Sequence, residues 1–320
     1  MHIFITGASG FVGGAIAKAL TRTYVVRAMS RSEHSDNSLR EMGLTPVRSA
    51  LGEVHPKHLS GCDVLIHCAA HVSQWGTREQ FWTVNVHGTE QLLQAARQAG
   101  ISRFIYIGTE AAVFHGQARR GIDETYPYSV HTPFLYSGSK AAAERLVLAA
   151  NAPGFVTLSI RPRFVWGPDD RTILPALRKM VEAGRFAWID EGQARTSTTH
   201  IANVVQAVSL ALEHGRGGQA YFVTDDSTTT IREFVTALLQ TQGLTPPNRS
   251  LPGWLAGTLA YLVESAWRLF GRTTEPPLTR FGVALMSREC TIRTDKIRGE
   301  LQYMPVITRE KGLEELRMKP

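Results

Sequence analysis

The stretch HIFITGASGFVGG, residues 2–14, decides the fold, because an apolar run passes directly into a glycine-rich turn. HIFIT predicts a buried strand. The three glycines that follow are spaced so that a tight turn opens a helix, whose free backbone N–H groups can meet a pyrophosphate. A lone glycine triplet is weak evidence, so this prediction depends on the elements around it. The turn residues predicted to contact such a ligand are Gly7, Ser9, Gly10, Phe11, Val12 and Gly13.

The first half of the chain alternates apolar strands with helical patterns. Short apolar runs, each bounded by polar or turn residues, occupy 24–29, 63–70, 103–109 and 155–162. Helical patterns lie between them at 13–21, 89–100 and 139–151. This alternation implies right-handed crossovers, so the predicted fold class is α/β, a doubly wound parallel sheet of the Rossmann type. In that context the glycine turn predicts a dinucleotide site, and a purely structural turn becomes the weaker interpretation.

The rhythm changes after Pro162, where the chain becomes richer in Pro, Trp and irregular polar runs. A helical pattern returns at 201–212, and a strand, a Thr-rich cap and a helix follow at 217–240. We therefore predict a dinucleotide-binding domain over 1–162, to which 198–215 return. A smaller, interleaved substrate-binding lobe is predicted over most of 163–320.

Composition excludes several classes of function. Lys and Arg exceed Asp and Glu by 35 to 28, and the net charge of +7 suits a phosphate-bearing ligand or an anionic surface. The basic residues are scattered and accompany no RNA-binding or helix-turn-helix pattern, so no nucleic-acid partner is expected. Three cysteines without a CxxC pair predict neither a disulfide framework nor a metal site. The chain opens on a strand pattern instead of a signal peptide, so a cytoplasmic location is expected.

Residues 254–270, WLAGTLAYLVESAWRLF, are strongly apolar. Glu264 and Arg268 interrupt the run before the roughly 18 to 20 uncharged residues that a spanning helix needs. A core or lid helix is the first interpretation. The aromatic residues also suit an interfacial helix, which predicts a peripheral contact with a membrane.

A tyrosine and a lysine lie four residues apart in YSGSK, residues 136–140, at the start of an alanine-rich helical run. On a helix this spacing places Tyr136 and Lys140 on one face, about one turn of roughly 5.4 Å apart, so an ammonium can lie near a phenol oxygen. Taken alone, the spacing fits a solvated surface pair better than a catalytic one.

The second predicted strand ends in AMSRSE, residues 28–33, where an enzyme that prefers NAD would carry an acid for the ribose hydroxyls. Here Ser30 and Arg31 occupy the place. A hydroxyl followed by a guanidinium can hold the 2′-phosphate of NADP, so NADP is favoured over NAD. The alternative is that Arg31 points into solvent.

With the glycine turn and YSGSK in order on one chain, the sequence resembles the extended short-chain dehydrogenase/reductase superfamily. The further segments that carry the resemblance are HCAA (67–70), NVHGTEQLLQAA (85–96), IGTEAA (107–112), RPRFVWGPDD (161–170) and THIANVVQA (199–207). The resemblance implies catalytic roles for Thr109, Tyr136 and Lys140. It also implies cofactor contacts from Ala69, Ala70, Asn85 and Pro162, and from Tyr136 and Lys140 themselves.

Within that superfamily the sequence resembles the 3β-hydroxysteroid dehydrogenase and dihydroflavonol reductase branch. The similar segments are HCAAHVSQWG (67–76), GTEA (108–111), EPPLTRFGVALMSRE (275–289) and TDKIRGELQYMPVITREKGL (294–313). Two positions depart from the superfamily pattern. Ala50 replaces an Asp that contacts adenine in many relatives, and Gly108 replaces the first of two hydroxyl residues, which leaves Thr109 as the candidate.

The resemblance implies an NAD(P)-dependent oxidoreductase that moves a hydride between nicotinamide and a ketone or secondary alcohol. Lys140 and an oxidised nicotinamide would lower the pKa of Tyr136, which then serves as acid or base while Thr109 orients the substrate oxygen. Four loop aromatics are expected to line an apolar substrate space, of steroid or long-chain 3-oxo acid type, although each could be a core residue: Trp75, Phe114, Phe164 and Trp166.

Two other functions stay open on the sequence. A sugar-nucleotide epimerase or dehydratase would use the same Tyr and Lys, but usually offers more cationic residues for a diphosphate. A non-catalytic dinucleotide-sensing regulator could keep the glycine turn, but it would not need Thr109, Tyr136 and Lys140 together. A homodimer is a further expectation for the small-molecule enzyme.

Overall fold

The computed structural model describes residues 1–129 and 131–318, so the last two residues of the predicted lobe lie outside it. The strands are β1 (His2–Thr6), β2 (Val25–Ser30), β3 (Thr45–Arg48), β4 (Val64–His67), β5 (Arg103–Ile107), β6 (Arg119–Ile122), β7 (Val156–Pro162), β8 (Val165–Trp166), β9 (Trp188–Ile189), β10 (Arg195–Thr196), β11 (Thr199–His200), β12 (Gln219–Val223), β13 (Thr229–Thr230), β14 (Ser250–Leu251) and β15 (Cys290–Ile292). The helices are α1 (Phe11–Leu20), α2 (Glu33–Glu41), α3 (Arg78–Phe81), α4 (Gly88–Gln98), α5 (Leu135–Ala149), α6 (Ile173–Glu182), α7 (Ile201–His214), α8 (Ile231–Gln240), α9 (Gly253–Leu269), α10 (Arg280–Ser287), α11 (Asp295–Leu301) and α12 (Arg309–Met318).

Seven strands form one parallel sheet in the order β12-β7-β5-β4-β1-β2-β3. β1 pairs with β2 on one side and β4 on the other, so the direction of winding reverses between β1 and β4. In open α/β sheets, ligands bind at the carboxyl ends of the strands beside such a reversal. The predicted doubly wound fold is confirmed, and the glycine turn after β1 lies at the reversal.

The central sheet is buried on both faces, as the continuous apolar runs predicted. Ile3 and Ile5 pack with α1 and α7 in one cluster, whereas Phe4, between them, packs with α4 on the opposite face. This arrangement fixes the carboxyl ends of β1, β4 and β5, from which the site is built.

The second lobe is interleaved with the first. A four-stranded sheet, in the order β13-β10-β15-β6, takes β6 from inside the predicted 1–162 domain. Helix α7, which lies within the predicted return 198–215, packs into the core cluster with α1. That return extends further than 198–215, because β12 adds the seventh strand to the central sheet.

Two local outcomes differ from the sequence prediction. The apolar run 63–70 leaves the sheet at His67, so its last three residues form the loop beside the glycine turn. β3 was not predicted; it contains Pro46, which only an edge strand tolerates because proline has no N–H to donate. No helix in the described part of the chain is long and apolar enough to cross a membrane.

Candidate active site

The glycine turn needs glycine at two of its three positions. Gly7 has φ +74°, and a Cβ there would lie 2.7 Å from the backbone nitrogen of Ala69. A Cβ on Gly13 would lie 2.2 Å from the carbonyl oxygen of Gly7. No side chain caps α1 at Gly10, so the first N–H groups of the helix stay free for an anion. The turn therefore has the shape that a pyrophosphate requires.

The loop after β4 lies against this turn. Thr6 Oγ1 accepts a hydrogen bond from Ala69 N at 3.2 Å and also hydrogen-bonds His67 Nδ1 at 2.7 Å. Burial lowers the pKa of His67 to about 3, and the charge of Lys140 adds to the effect. His67 is therefore a neutral support for the loop that carries Ala69 and Ala70.

Tyr136 and Lys140 both lie on α5, as their spacing predicted. Lys140 is 3% exposed, donates from Nζ to Ile107 O at 2.9 Å, and lies 4.2 Å above the ring of Tyr106. Burial lowers the pKa of Lys140 to about 8, against the opposing charge of Glu144. A solvated surface pair is therefore excluded for Lys140.

Thr109 follows β5 and brings its hydroxyl to Tyr136. Its Oγ1 accepts from Ala111 N at 3.1 Å, which makes Thr109 the cap of the short turn Glu110–Val113. Burial raises the pKa of Tyr136 above its usual value, the charge of Glu110 raises it further, and a hydrogen bond with Thr109 opposes both. The Thr109 hydroxyl therefore lies near the Tyr136 phenol, an arrangement that suits a shared role on one substrate oxygen.

Glu110 was not singled out from the sequence. It accepts from Thr109 Oγ1 at 3.0 Å and pairs with Arg163, while Arg119 donates to its carbonyl oxygen at 2.9 Å. All three charged side chains are buried. Only the fold brings the two arginines to GTEA, so no local sequence signal could have identified this cluster.

Asn85 joins the cofactor loop to α5. Its Nδ2 donates to Ser139 Oγ at 2.9 Å, and Ser139 Oγ donates to Tyr136 O at 2.9 Å. Its Oδ1 accepts from His71 N at 2.6 Å. Asn85 lies in one turn of π-helix, Trp82–His87, which places it at this junction.

The end of β2 places the two predicted 2′-phosphate ligands differently. Ser30 is buried, donates to Ser32 O at 3.1 Å, and its hydrogen bond with Asp36 is the largest cause of the lowered pKa of that carboxyl. Arg48 pairs with the same carboxylate. Arg31 is exposed. The hydroxyl of Ser30 is therefore engaged inside the protein, and only Arg31 is free to meet a phosphate.

Only one of the four predicted substrate aromatics has a clear place in a cavity with Tyr136. Trp75 shares that cavity with Tyr136 and Phe134. Phe164 packs partly buried against Phe234, in the core cluster of the second lobe.

Two of the expectations are corrected by burial. Trp166 has no exposed surface, and its Nε1 already donates to Asp225 Oδ2 at 2.9 Å, so it has no free face for a ligand. Phe114 is also fully buried, stacked on Phe134 at 5.4 Å, so it supports the cavity wall from behind. Pro162 ends β7 and is likewise buried.

The cavity beside Tyr136 is closed by α9 and α10. Its lining includes Trp75, Phe134, Tyr136, Glu264, Arg268 and Phe281. Its volume is about 30 Å³, which is small beside the roughly 300 Å³ or more of a typical ligand pocket. The sequence prediction missed Phe134 and Phe281, because the lid becomes visible only when α10 folds over α5.

Comparison with known proteins agrees with this geometry. Residues 4–253 match the model of the 3-beta hydroxysteroid dehydrogenase/isomerase family. A 4-hydroxy-2-methyl-3-oxo-4-farnesyl-3,4-dihydroquinoline-1-oxide ketoreductase of Stigmatella aurantiaca is 41% identical over 99% of this chain and 96% of its own length. A 2-alkyl-3-oxoalkanoate reductase of Stenotrophomonas maltophilia is 31% identical over 99% of this chain and 98% of its own. Among solved structures, a UDP-glucuronic acid 4-epimerase from Bacillus cereus in complex with NAD has a TM-score of 0.76 at 19% identity, over 99% of both chains, and shows the shared fold.

The fold and the site define a nicotinamide-dependent oxidoreductase of the extended short-chain class, acting on hydroxyl or keto groups. The chain belongs to the 3-beta hydroxysteroid dehydrogenase/isomerase family.

Proposed function

We propose that this protein reduces a hydrophobic ketone to a secondary alcohol, taking the hydride from a reduced nicotinamide and the proton from Tyr136. The observation that carries the proposal is the buried Lys140, whose Nζ donates to Ile107 O at 2.9 Å, two residues before Thr109 and one helical turn from Tyr136. When bound, the nicotinamide supplies a hydride. The ketone carbon gains that hydride and its oxygen gains a proton, so the products are an alcohol and the oxidised cofactor.

Each protein group has one part in this reaction. Tyr136 holds a proton at its phenol oxygen, because burial and Glu110 raise its pKa. Thr109 binds and orients the substrate oxygen. Lys140 would hold the ribose hydroxyls, because its Nζ lies at Ile107 O, at the carboxyl end of β5, the strand beside β4. The expected lowering of the Tyr136 pKa by Lys140 is not seen without cofactor: burial and Glu110 raise that pKa, and Thr109 alone opposes them.

The apolar walls of the cavity support a hydrophobic substrate. Phe281 meets the ring of Tyr136 edge-on at 5.9 Å, and Phe134 and Trp75 complete the surface around it. The two curated relatives described above are named for farnesyl- and alkyl-bearing oxo compounds. A long apolar chain on the substrate therefore fits both the walls and the relatives.

The sugar-nucleotide alternative has less support. Epimerases and dehydratases share the fold at about one fifth identity. Of the two arginines in the cavity, Arg280 is already paired with Glu264, at 2.7 Å. One free guanidinium is a weak match for the two charges of a diphosphate.

We propose further that the cofactor is NADP. Arg31 is an exposed cation at the end of β2, where the cofactor ribose would lie. Asp36, the buried acid that is nearest to it in the sequence, is paired with Arg48. An unpaired acid would repel a 2′-phosphate, whereas an exposed guanidinium attracts it.

A peripheral contact with an anionic membrane is proposed for α9. Three apolar side chains of this helix are largely exposed: Trp254 (74%), Leu262 (57%) and Leu269 (82%). The same helix supplies Glu264 and Arg268 to the lining of the cavity, so the proposed route from lipid to the site runs along one helix. Co-sedimentation with phosphatidylglycerol vesicles tests this contact: it should fall when Leu262 and Leu269 are both changed to Ser, and binding that is unchanged by this double variant excludes α9.

A substrate screen tests the function itself. We would assay steroid ketones, long-chain 3-oxo acids, flavonoid ketones and UDP-sugars with NADPH and with NADH. We expect turnover with one of the three hydrophobic classes. Activity confined to UDP-sugars would contradict the proposal, and so would cofactor binding without turnover of any class, which is the behaviour of a regulator.

A further inference from the structure

The cavity that Tyr136 lines also contains three charged side chains in its wall: Glu264, Arg268 and Arg280. Both carboxylate oxygens of Glu264 are occupied by Arg280, whose backbone N donates to Oε1 at 2.7 Å and whose Nε donates to Oε2 at 2.7 Å. Glu264 is buried, which makes this pair a fixed part of the wall. The charge of Arg280 is therefore neutralised within the protein.

Arg268 lies one turn further along α9 and is not neutralised in this way. Within residues 1–129 and 131–318 it has no carboxylate within salt-bridge distance, and its guanidinium lies 5.4 Å from the ring of Trp75. The side chain lines the cavity and is exposed to solvent. A guanidinium placed between an aromatic ring and a cavity retains donors that can serve a planar anion.

The loop that carries Trp75 is itself fixed to the α9–α10 segment. Trp75 Nε1 donates to Arg272 O at 3.2 Å, and Ser73 Oγ donates to Glu275 Oε2 at 3.4 Å. These bonds hold the ring under Arg268, so the position of the guanidinium is set by two segments and not by α9 alone. Such support reduces the side-chain entropy lost when an anion binds.

From this charge arrangement we infer that Arg268 selects a ketone substrate carrying one carboxylate, and holds that carboxylate while Tyr136 acts on the ketone. The inference rests on the proposed function, because it assigns the substrate class of the same site. It names a single charge because Glu264 cancels Arg280 and leaves one cation in the lining. A long-chain 3-oxo acid satisfies both the apolar walls and this cation.

The experiment compares a charged ketone with its neutral twin. We would measure kcat and KM for 3-oxododecanoate and for its methyl ester, using wild type, Arg268→Gln and Arg268→Lys. Arg272→Gln is the matched control, since this arginine is exposed, close in sequence, and outside the cavity lining. Charge-assisted hydrogen bonds are strong, so Arg268→Gln should raise KM for the acid by about tenfold or more while kcat changes little.

The remaining outcomes separate the inference from the proposed function. The ester should show the same KM in wild type and in Arg268→Gln, Arg268→Lys should recover part of the affinity for the acid, and Arg272→Gln should behave as wild type. Equal changes for acid and ester, or no change for the acid, overturn the role of Arg268 and leave ketone reduction intact. Failure of wild type to reduce either twin, or any ketone of the screen, overturns the proposed function and this inference together.

Discussion

Gly108 faces the carboxylate of Glu144 so closely that a Cβ at this position would lie 2.7 Å from Oε2. The same Cβ would lie 2.6 Å from Ser159 Oγ, which donates to that carboxylate at 2.6 Å. Glu144 is fully buried, and its carboxylate accepts two hydrogen bonds from the guanidinium of Arg161. Neither this carboxylate nor the Ser159 hydroxyl is therefore free to move. A hydroxyl residue at position 108, as the superfamily pattern implies, would therefore collide with this buried pair.

The first prediction follows from that crowding. Gly108→Ala should lower the free energy of unfolding by about 1–3 kcal/mol, because the new methyl group must displace a buried ion pair. Urea unfolding measures the change. Gly299→Ala is the control: a Cβ there meets nothing within 4 Å on helix α11, so this variant should be neutral or slightly stabilising. Equal stability of the two variants would contradict the geometry at Gly108.

The second prediction concerns the charge on Lys140. Its folded pKa, about 8, lies below its ordinary value of 10.5, so the folded state disfavours the charged form. The cost is fully present below pH 8 and disappears as pH rises towards 10.5, because the unfolded chain then loses the same proton. Lys140→Met should therefore stabilise the cofactor-free protein by about 1–3 kcal/mol at neutral pH and abolish turnover.

The free energy of unfolding, measured at several pH values, tests the direction of this effect. The advantage of Lys140→Met over wild type should shrink between pH 8 and pH 10.5. Lys18→Met, at an exposed position on α1, is the control and should show no such trend. An advantage that grows with pH would mean that Lys140 is not a desolvated cation.

The third prediction concerns Glu110, whose negative charge raises the pKa of Tyr136. Replacing Glu110 with Gln removes that charge, so the pKa of Tyr136 should fall. In the alcohol-oxidising direction, where Tyr136 must accept a proton, the rising limb of kcat/KM should then move to lower pH. Glu110→Asp keeps the charge and should leave the limb in place. If the rising limb of the kcat/KM profile stays at the same pH in Glu110→Gln, a group other than Tyr136 causes it.

The fourth prediction tests the choice of cofactor. Arg31→Ala should weaken NADP by about tenfold and leave NAD nearly unchanged, because only NADP carries the 2′-phosphate that a guanidinium would hold. Fluorescence titration measures both dissociation constants. Arg22→Ala, another exposed arginine in the same domain, should change neither. Equal losses for the two cofactors would place Arg31 away from the phosphate.

Much of the fold could be predicted from the sequence, because the buried parallel strands and the helix that carries Tyr136 and Lys140 have strong local patterns. The candidate catalytic residues could be proposed from the sequence because each lies in a short motif: Thr109 directly after β5, and Tyr136 and Lys140 at the start of α5. The Glu110 cluster and the cation Arg268 could not be predicted, since Arg163 is 53 residues from Glu110 in the chain and the surroundings of Arg268 depend on how α10 packs. Trp166 was misassigned because an aromatic residue in a loop motif looks the same in sequence whether it lines a cavity or fills the core.

The most direct test of the central claim is hydride transfer by Tyr136→Phe, measured as oxidation of the reduced nicotinamide with the best ketone of the screen. Only the ionisable hydroxyl is removed, so cofactor affinity should stay within about threefold of wild type while kcat falls by about 100-fold or more. Turnover within about tenfold of wild type, with the cofactor bound normally, would contradict the assignment of Tyr136 as the proton donor.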